Sequence, residues 1–417
     1  MGIKRRQLLA GATGLGALAA LHPSLVWAKD SKPIRIGAIF PMSGIGAEAG
    51  AAWLQGSRLA VEHWNRNGGV LGRPIELVVR DDKYSSSGAV TAGRELATSG
   101  VNLIVGACQS PMALGLAPLL EELNALCVAP TPAAMSLTHE NYSRNLFRLC
   151  PNAYMLYAGL GRMLAQKHPD IDHWATIVFD SEYGHDAIRY FEYGVRSVSG
   201  DREVTFDRPI YTPVQKTDFQ VEINQLMNSP AKGLFCGLIA APIISFLQQG
   251  RSIGLDRKFE VMGESGTDLL IAKALKTAMP DNLWSVSYWH PENSFFAKNT
   301  LSQQLFKDYV EATDDRYPVG LLTSSHRATQ ALLSGIEKAG DTDTQTVVEA
   351  MEGLTFDTIT GPYHIRKEDH QGYGTSVYAR VGPKEDEPYY GLNDLEVVND
   401  EQTMEPPSPG EAFTLPA

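Results

Sequence analysis

VNLIVGACQSPMALGLAPLLEELNALCVAPTPAAMS, from Val101 to Ser136, reads as strand, loop, helix, strand and loop. Val101–Val105 is a short apolar run that stops at Gly106. Leu126–Ala129 is a second one, stopped by Pro130-Thr131-Pro132. Between them Pro111 suits the first turn of a helix, where no N–H is needed, and Leu114, Leu116, Leu119, Leu120 and Leu123 recur at helical spacing. Two strands joined by a helix run parallel, so both loops emerge at one sheet edge, and in an open α/β sheet ligands sit at that carboxyl edge. Ser110 and the Thr131–Ser136 loop therefore lie side by side there, offering hydroxyls and free backbone N–H groups. The edge reads as half of a ligand cleft, with the other half supplied by a second, similar domain.

The same rhythm extends to both sides. Ile34–Phe40 is a buried strand ended by Pro41-Met42-Ser43-Gly44. Trp53, Ser57, Ala60, Val61 and Trp64 share one helical face, which Asn67-Gly68-Gly69 closes. Ile75–Arg80 is a strand ending at Asp81-Asp82, and Ser86 or Ser87 caps the next helix. This is the alternation of a doubly wound parallel sheet. It restarts after Asn145–Cys150, with strands at Trp174–Phe179, Gly233–Cys236, Phe259–Met262 and Leu283–Tyr288 and helices between them. Three helices follow (about 300–313, 321–338 and 344–351), then late strands at Gly361–Ile365 and Ser376–Val381. Two α/β halves are predicted, with the extra helices returning to the first. Pro406–Ala417, with four prolines, is expected to be a loosely attached tail.

A length of 417 residues fits two domains. Apolar residues at 43% and charged residues at 20% suit a globular chain. A net charge of −12 without a basic patch argues against nucleic acid as a partner. Cys108, Cys127, Cys150 and Cys236 show no CxxC or Cys/His ligand spacing, which argues against structural zinc and for buried small side chains. One disulfide remains open to an exported chain. Residues 1–28 have the form of an export signal. Lys4-Arg5-Arg6 is positive, Leu8–Leu21 is apolar but too short to span a bilayer, and Val26-Trp27-Ala28 offers a cleavage site. Arg5-Arg6-Gln7-Leu8-Leu9 resembles a twin-arginine signal, a Sec signal holding two arginines being the alternative. A soluble, exported, acidic protein is expected.

Three loops carry residue types that do chemistry. Gly44-Ile-Gly46-Ala-Glu-Ala49 follows a strand and opens a helix, as dinucleotide-binding loops do, and Asp82 sits where a ribose-binding acid would lie. An exported dinucleotide-dependent oxidoreductase using Gly44, Gly46 and Asp82 is one rival reading; a ligand loop or tight turn is the simpler one. Asp180-Ser-Glu-Tyr-Gly-His185 ends a second-half strand. Ser181 and His185 lack companions at motif-like spacing and there is no G-x-S-x-G elbow, so no catalytic residue is assigned. Tyr183, an apolar ring with a polar tip, is read as a ligand contact. Glu264 and Ser265 occupy the equivalent loop after another strand, where an acid meets an ammonium, an amide N–H or a lysine. His364, Asp369 and His370 lack the geometry of a metal helix. No enzyme, metal or resident cofactor is expected.

Taken in order, IRIGAIFPMSG (Ile34–Gly44), NGGVLGRPIELVVRDDK (Asn67–Lys83), LIVGACQS (Leu103–Ser110), APTPAA (Ala129–Ala134), DSEYG (Asp180–Gly184), VMGESG (Val261–Gly266) and TGPYHI (Thr360–Ile365) resemble the solute-binding proteins of ABC importers. The resemblance is to the branched-chain amino acid and amide-binding, type I periplasmic binding family, over roughly residues 33–381. It implies two Rossmann-like lobes joined by crossings near Cys150, Ser287 and Tyr363. Residues 29–149 plus about 288–362 would form the first lobe, and 150–287 plus about 363–405 the second. It further implies a periplasmic monomer that closes by a hinge on a small ligand and hands it to membrane permease subunits. A sensor reporting to a regulator or receptor is the other rival. Ser110, with backbone and hydroxyl groups at Ala133, Ala134 and Met135, is carried over as the carboxylate site. Ser43 and Ala49 are carried over on the first loop, Tyr183 and Ile239 on the second lobe, and Glu264 or Ser265 as the ammonium acid. Met135 replaces a usual threonine, and Ala49 and Ile239 replace aromatics. These departures weaken leucine, isoleucine and valine as ligands and leave room for a bulkier or less polar acid, or an amide.

Overall fold

A computed structural model describes residues 32–266, 268–287, 289–290 and 296–415. The export segment expected at 1–28 lies outside the described residues. Strands β1 (Ile34–Phe40), β2 (Ile75–Asp81), β3 (Leu103–Gly106), β4 (Leu126–Ala129) and β5 (Leu146–Arg148) form a parallel sheet in the order β2-β1-β3-β4-β5. β3, β4 and β5 are buried at every residue, because helices cover both faces of a parallel sheet, and such strands read as unbroken apolar runs.

The second sheet repeats the plan. β6 (His173–Phe179) takes β7 (Thr205–Phe206) and β8 (Ile210–Thr212) on one side. On its other side lie β9 (Gly233–Gly237), β10 (Val261–Glu264) and β11 (Leu283–Ser287), all parallel. The order change falls between β1 and β3 in one sheet and between β6 and β9 in the other, the switch points where ligands collect in such folds.

The Gly320–Ala339 helix returns to the first half and packs along the Ala47–Arg66 helix. Gly56 permits this approach: a Cβ there would lie 2.0 Å from the Leu322 carbonyl oxygen. Ser325 Oγ donates to the Trp53 carbonyl, and Trp64 Nε1 donates to Gln330 Oε1 at 2.9 Å. The Trp53 backbone is thereby fixed against the return helix.

Several expectations are corrected. The helix at Ser86–Thr98 is capped by Ser85, whose side chain accepts from Gly88 N, rather than by Ser86 or Ser87. A small antiparallel sheet of β12 (Thr355–Thr358), β13 (Gly361–Ile365) and β14 (Gly372–Tyr373) precedes β15 (Thr375–Pro383), which pairs antiparallel with β11. Tyr363 and Ile365 belong to the apolar core of the first sheet, so the late passage to the second sheet falls beyond them, between Tyr373 and Thr375. β16 (Tyr390–Asn399) then pairs with β15 at the sheet edge. The tail is not loose through residue 415. Gly410 N donates to the His139 carbonyl at 2.7 Å, and Phe413 stacks on His139 and meets the edge of Tyr154. The Phe413 ring and the Gly410 hydrogen bond supply the anchor that proline content conceals.

Candidate functional site

The carboxyl ends of the two sheets face each other. On the first side, β3 stops at Gly106, whose φ of +139° and close contact with the Ile39 carbonyl require glycine. The chain then turns through Ala107, itself at φ 54°, into the Ser110–Leu116 helix with Pro111 in its first turn. Ser110 Oγ accepts from Ala134 N at 3.1 Å, and Thr131 Oγ1 donates to the Cys108 carbonyl at 2.7 Å. Fully buried Arg148 holds this loop from below, donating to the Ala134 carbonyl, to Thr138 Oγ1 and, at 2.7 Å, to Gln371 Oε1.

On the second side, Ser181 caps the Glu182–Ser197 helix by accepting from Gly184 N. A Cβ at Gly184 would lie 2.0 Å from the Phe179 carbonyl oxygen, so glycine brings the helix start down onto β6. Buried Tyr183 accepts from Tyr157 OH at 2.8 Å. Tyr157 belongs to a π-helical turn at Tyr154–Ala158, an irregularity common at functional sites. Burial, with Tyr157 beside it, pushes the Tyr183 phenol well above its ordinary range. Ile239 precedes Ala240, whose φ of 61° and ψ of −138° are strained for a residue with a Cβ. Ser265 Oγ donates to the Cys236 carbonyl at 3.4 Å.

Ser110, Ala133, Tyr183, Ile239 and Ser265 line one cavity of about 20 Å³, room for about one water. Trp53, Gln109, Thr131, Leu156 and Tyr157 share its lining. Gln109 and Tyr183 also line a neighbouring space of about 230 Å³. In sequence Trp53 reads as part of a buried helical face; its position early in the helix that follows β1 is the signal for a place at the cleft. Gln109 was adjacent to a named serine and carried no signal of its own.

Other expected residues lie elsewhere. Ala49 is buried in the first-sheet core, and the ring that reaches the cavity comes from Trp53, one helical turn later. Ser43 is exposed and donates to Asp81 Oδ2 at 2.6 Å. Glu264 accepts from Gly266 N at 3.0 Å and is not among the cavity-lining residues. Ala134 N is engaged by Ser110. Met135 N donates across the cleft to Asp186 Oδ2 at 3.1 Å, and the Met135 side chain packs into the apolar core of the second sheet. Ser136 Oγ donates to Glu182 Oε1, a second bond between the halves. Burial pushes the Asp186 carboxyl up to about 6.

The glycine loop does not present a dinucleotide cradle. A Cβ at Gly46 would meet the Tyr84 ring at 2.4 Å and Pro41 at 3.0 Å, so this glycine serves packing. Asp82 is buried and accepts from Tyr84 N at 2.8 Å within its own turn; burial pushes its carboxyl up to about 6. All four cysteines are free and buried, and burial pushes the Cys127 and Cys150 thiols up to about 12. Among the described residues no cluster of His, Cys, Asp and Glu could hold a metal, and no helix is long and apolar enough to cross a membrane.

Two doubly wound halves that meet carboxyl edge to carboxyl edge define a two-lobed ligand-binding fold. The chain belongs to the periplasmic binding protein family, which matches residues 33–386. It is 24% identical over 353 residues to the leucine-, isoleucine-, valine-, threonine- and alanine-binding protein of Pseudomonas aeruginosa, covering 83% of this chain and 89% of that relative. The closed crystal structure of the protein of that description from Brucella ovis superposes with a TM-score of 0.78 at 18% identity, over 93% of this chain and all of the other (100%). An ABC-transporter solute-binding protein of R. palustris, in complex with 4-hydroxybenzoate, superposes with a TM-score of 0.75 at 20% identity, over 88% and 98% of the two chains. The fold is that of type I periplasmic binding proteins.

Proposed function

We propose that the protein is the exported solute-binding component of an ABC importer, which captures a small carboxylate or amide between its lobes in the periplasm and delivers it to the permease. One observation carries this reading: Ser110 from one sheet edge meets Tyr183, Ile239 and Ser265 from the other across a single cavity. The amino-acid-binding and 4-hydroxybenzoate-bound relatives support it. The ligand docks on the Ser110 wall, and the second lobe closes over it. Contacts made only in the closed form shift the population toward closure. The Met135–Asp186 and Ser136–Glu182 bonds add to closure from the protein itself. The two lobe surfaces, correctly spaced only when closed, are what the permease reads.

A thermal-shift panel of amino acids, amides, aliphatic acids and aromatic acids tests the proposal. A ligand at about 100 times its Kd stabilises by about 2.7 kcal/mol. At least one class is expected to raise the melting temperature of the wild type and to lose that effect in Ser110→Ala. A panel with no response, or responses indifferent to Ser110, would count against it.

A further inference from the structure

With the cleft taken as the ligand site, we propose that the cargo is an elongated acid or amide lacking an ammonium group, with its carbonyl head against the Ser110 hydroxyl and the Trp53 indole N–H and its apolar tail running past Gln109 and Tyr183 into the neighbouring gallery. The head site follows from what is already bonded. Ala134 N is taken by Ser110 Oγ, and Met135 N by Asp186. Trp53 is 1% exposed, lines the cavity, and its Nε1–H has no partner among the described residues. A buried donor left unpaired is costly, and a carbonyl or carboxylate oxygen in the cavity would satisfy it.

The tail site follows from shape and lining. The head cavity, at about 20 Å³, has no space for an extended side chain, whereas the gallery beyond Gln109 and Tyr183 measures about 230 Å³. Tyr84, Pro111 and Met112 wall it from the first lobe, and Phe179 and Val214 from the second. It is therefore assembled only when the lobes meet, so tail contacts count toward closure. No Asp, Glu, Lys or Arg lines either space among the described residues. Glu264, next to Ser265, is turned to Gly266 N and does not line the cavity, so an ammonium brought there would meet no carboxylate directly, which disfavours amino acids.

Calorimetric titration with straight-chain carboxylates from propionate to octanoate, their primary amides, 4-methylpentanoate and leucine tests the inference. In the wild type, affinity is expected to rise about fourfold per methylene as the tail fills the gallery. 4-Methylpentanoate should bind more tightly than leucine, which differs from it by the ammonium. Met112→Trp and Val214→Phe, which fill the gallery from opposite lobes, should flatten the series, the longest chains losing most. Trp53→Phe, which keeps a ring and removes the N–H, should weaken every probe several-fold. Leucine binding more tightly than 4-methylpentanoate, or a series indifferent to both gallery variants yet abolished by Ser110→Ala, would overturn the inference and leave the cleft as the site. Binding indifferent to Ser110→Ala would remove the cleft itself.

Discussion

On the first lobe the loops at Ser110 and Thr131–Ala134 bring small side chains and backbone to the cleft, tied down by buried hydrogen bonds, Ser110 to Ala134, Thr131 to Cys108, and Arg148 to Ala134 and Thr138, with the Trp53 ring beside them. On the second lobe, Ser265 apart, the cleft wall consists of large or branched side chains carried on irregular backbone. Tyr183 stands on a helix start, Tyr157 on a π-helical turn, and Ile239 beside a left-handed alanine. The first wall offers fixed polar geometry, suited to orienting a head group. The second offers apolar area and strained loops, suited to moving in and covering it. The parallel cores of the two sheets share one strand order, so the division of labour comes from what each sheet carries at its carboxyl edge.

The contrast is broken most severely at Arg148. Arg148→Met strips the support from the first wall and leaves Thr138, Gln371 and the Ala134 carbonyl short of a donor. A loss of about 3 kcal/mol or more in unfolding free energy is expected from urea titration, because three buried acceptors lose their donor at about 1–3 kcal/mol each. A loss typical of a surface site would mean that the wall does not depend on it. Ser110→Ala leaves buried Ala134 N without an acceptor and should cost about 1–3 kcal/mol, read in the same way. Ala240→Gly on the second wall should act in the opposite direction. Relief of strain at φ 61° outweighs the entropy of glycine and stabilises by about 0.5–1 kcal/mol. Equal or lower stability would show that the loop is not strained.

The smallest effect concerns pH. Asp82 and Asp186 have carboxyls raised to about 6, so the folded protein holds protons that an unfolded chain releases near 4. Their contribution to stability is complete below the ordinary carboxyl range and is lost as pH rises through about 6. Asp186→Asn keeps an acceptor for Met135 N and removes the titration. Urea midpoints measured between pH 5 and 7 should fall less in this variant than in the wild type; superimposable profiles would show that Asp186 does not titrate there.

How far the sequence carried depended on burial. Strands covered on both faces, such as Leu103–Gly106 and Leu126–Ala129, declare themselves as apolar runs bounded by glycine and proline. β16 lies at a sheet edge, half-buried and interrupted by Asn393 and Asp394, and carries no such signature. The tail carries several prolines and no periodicity, yet the Phe413 ring and the Gly410 hydrogen bond hold it against His139. In the site, Ser110, Tyr183, Ile239 and Ser265, which the strand–helix rhythm and the family resemblance place at strand ends, line one cavity. Ala49 does not, because helical periodicity cannot say which turn reaches the cleft, and Trp53 does so instead. In sequence Met135 stands out only for lacking a hydroxyl. Its N–H and side chain serve the contact between lobes, a role visible only once Asp186 is beside it.

The claim that cargo is held between the Ser110 and Ile239 walls is tested most directly by calorimetry on Ile239→Trp. Ile239 is half-buried at the cleft, outside the strands, so a larger ring there overfills the small head cavity and keeps the walls from closing on a ligand. Every acid or amide that binds the wild type should fail to bind this variant, while its ligand-free melting temperature stays close to that of the wild type. Unchanged affinity in Ile239→Trp would place the ligand outside the cleft and contradict the proposed function.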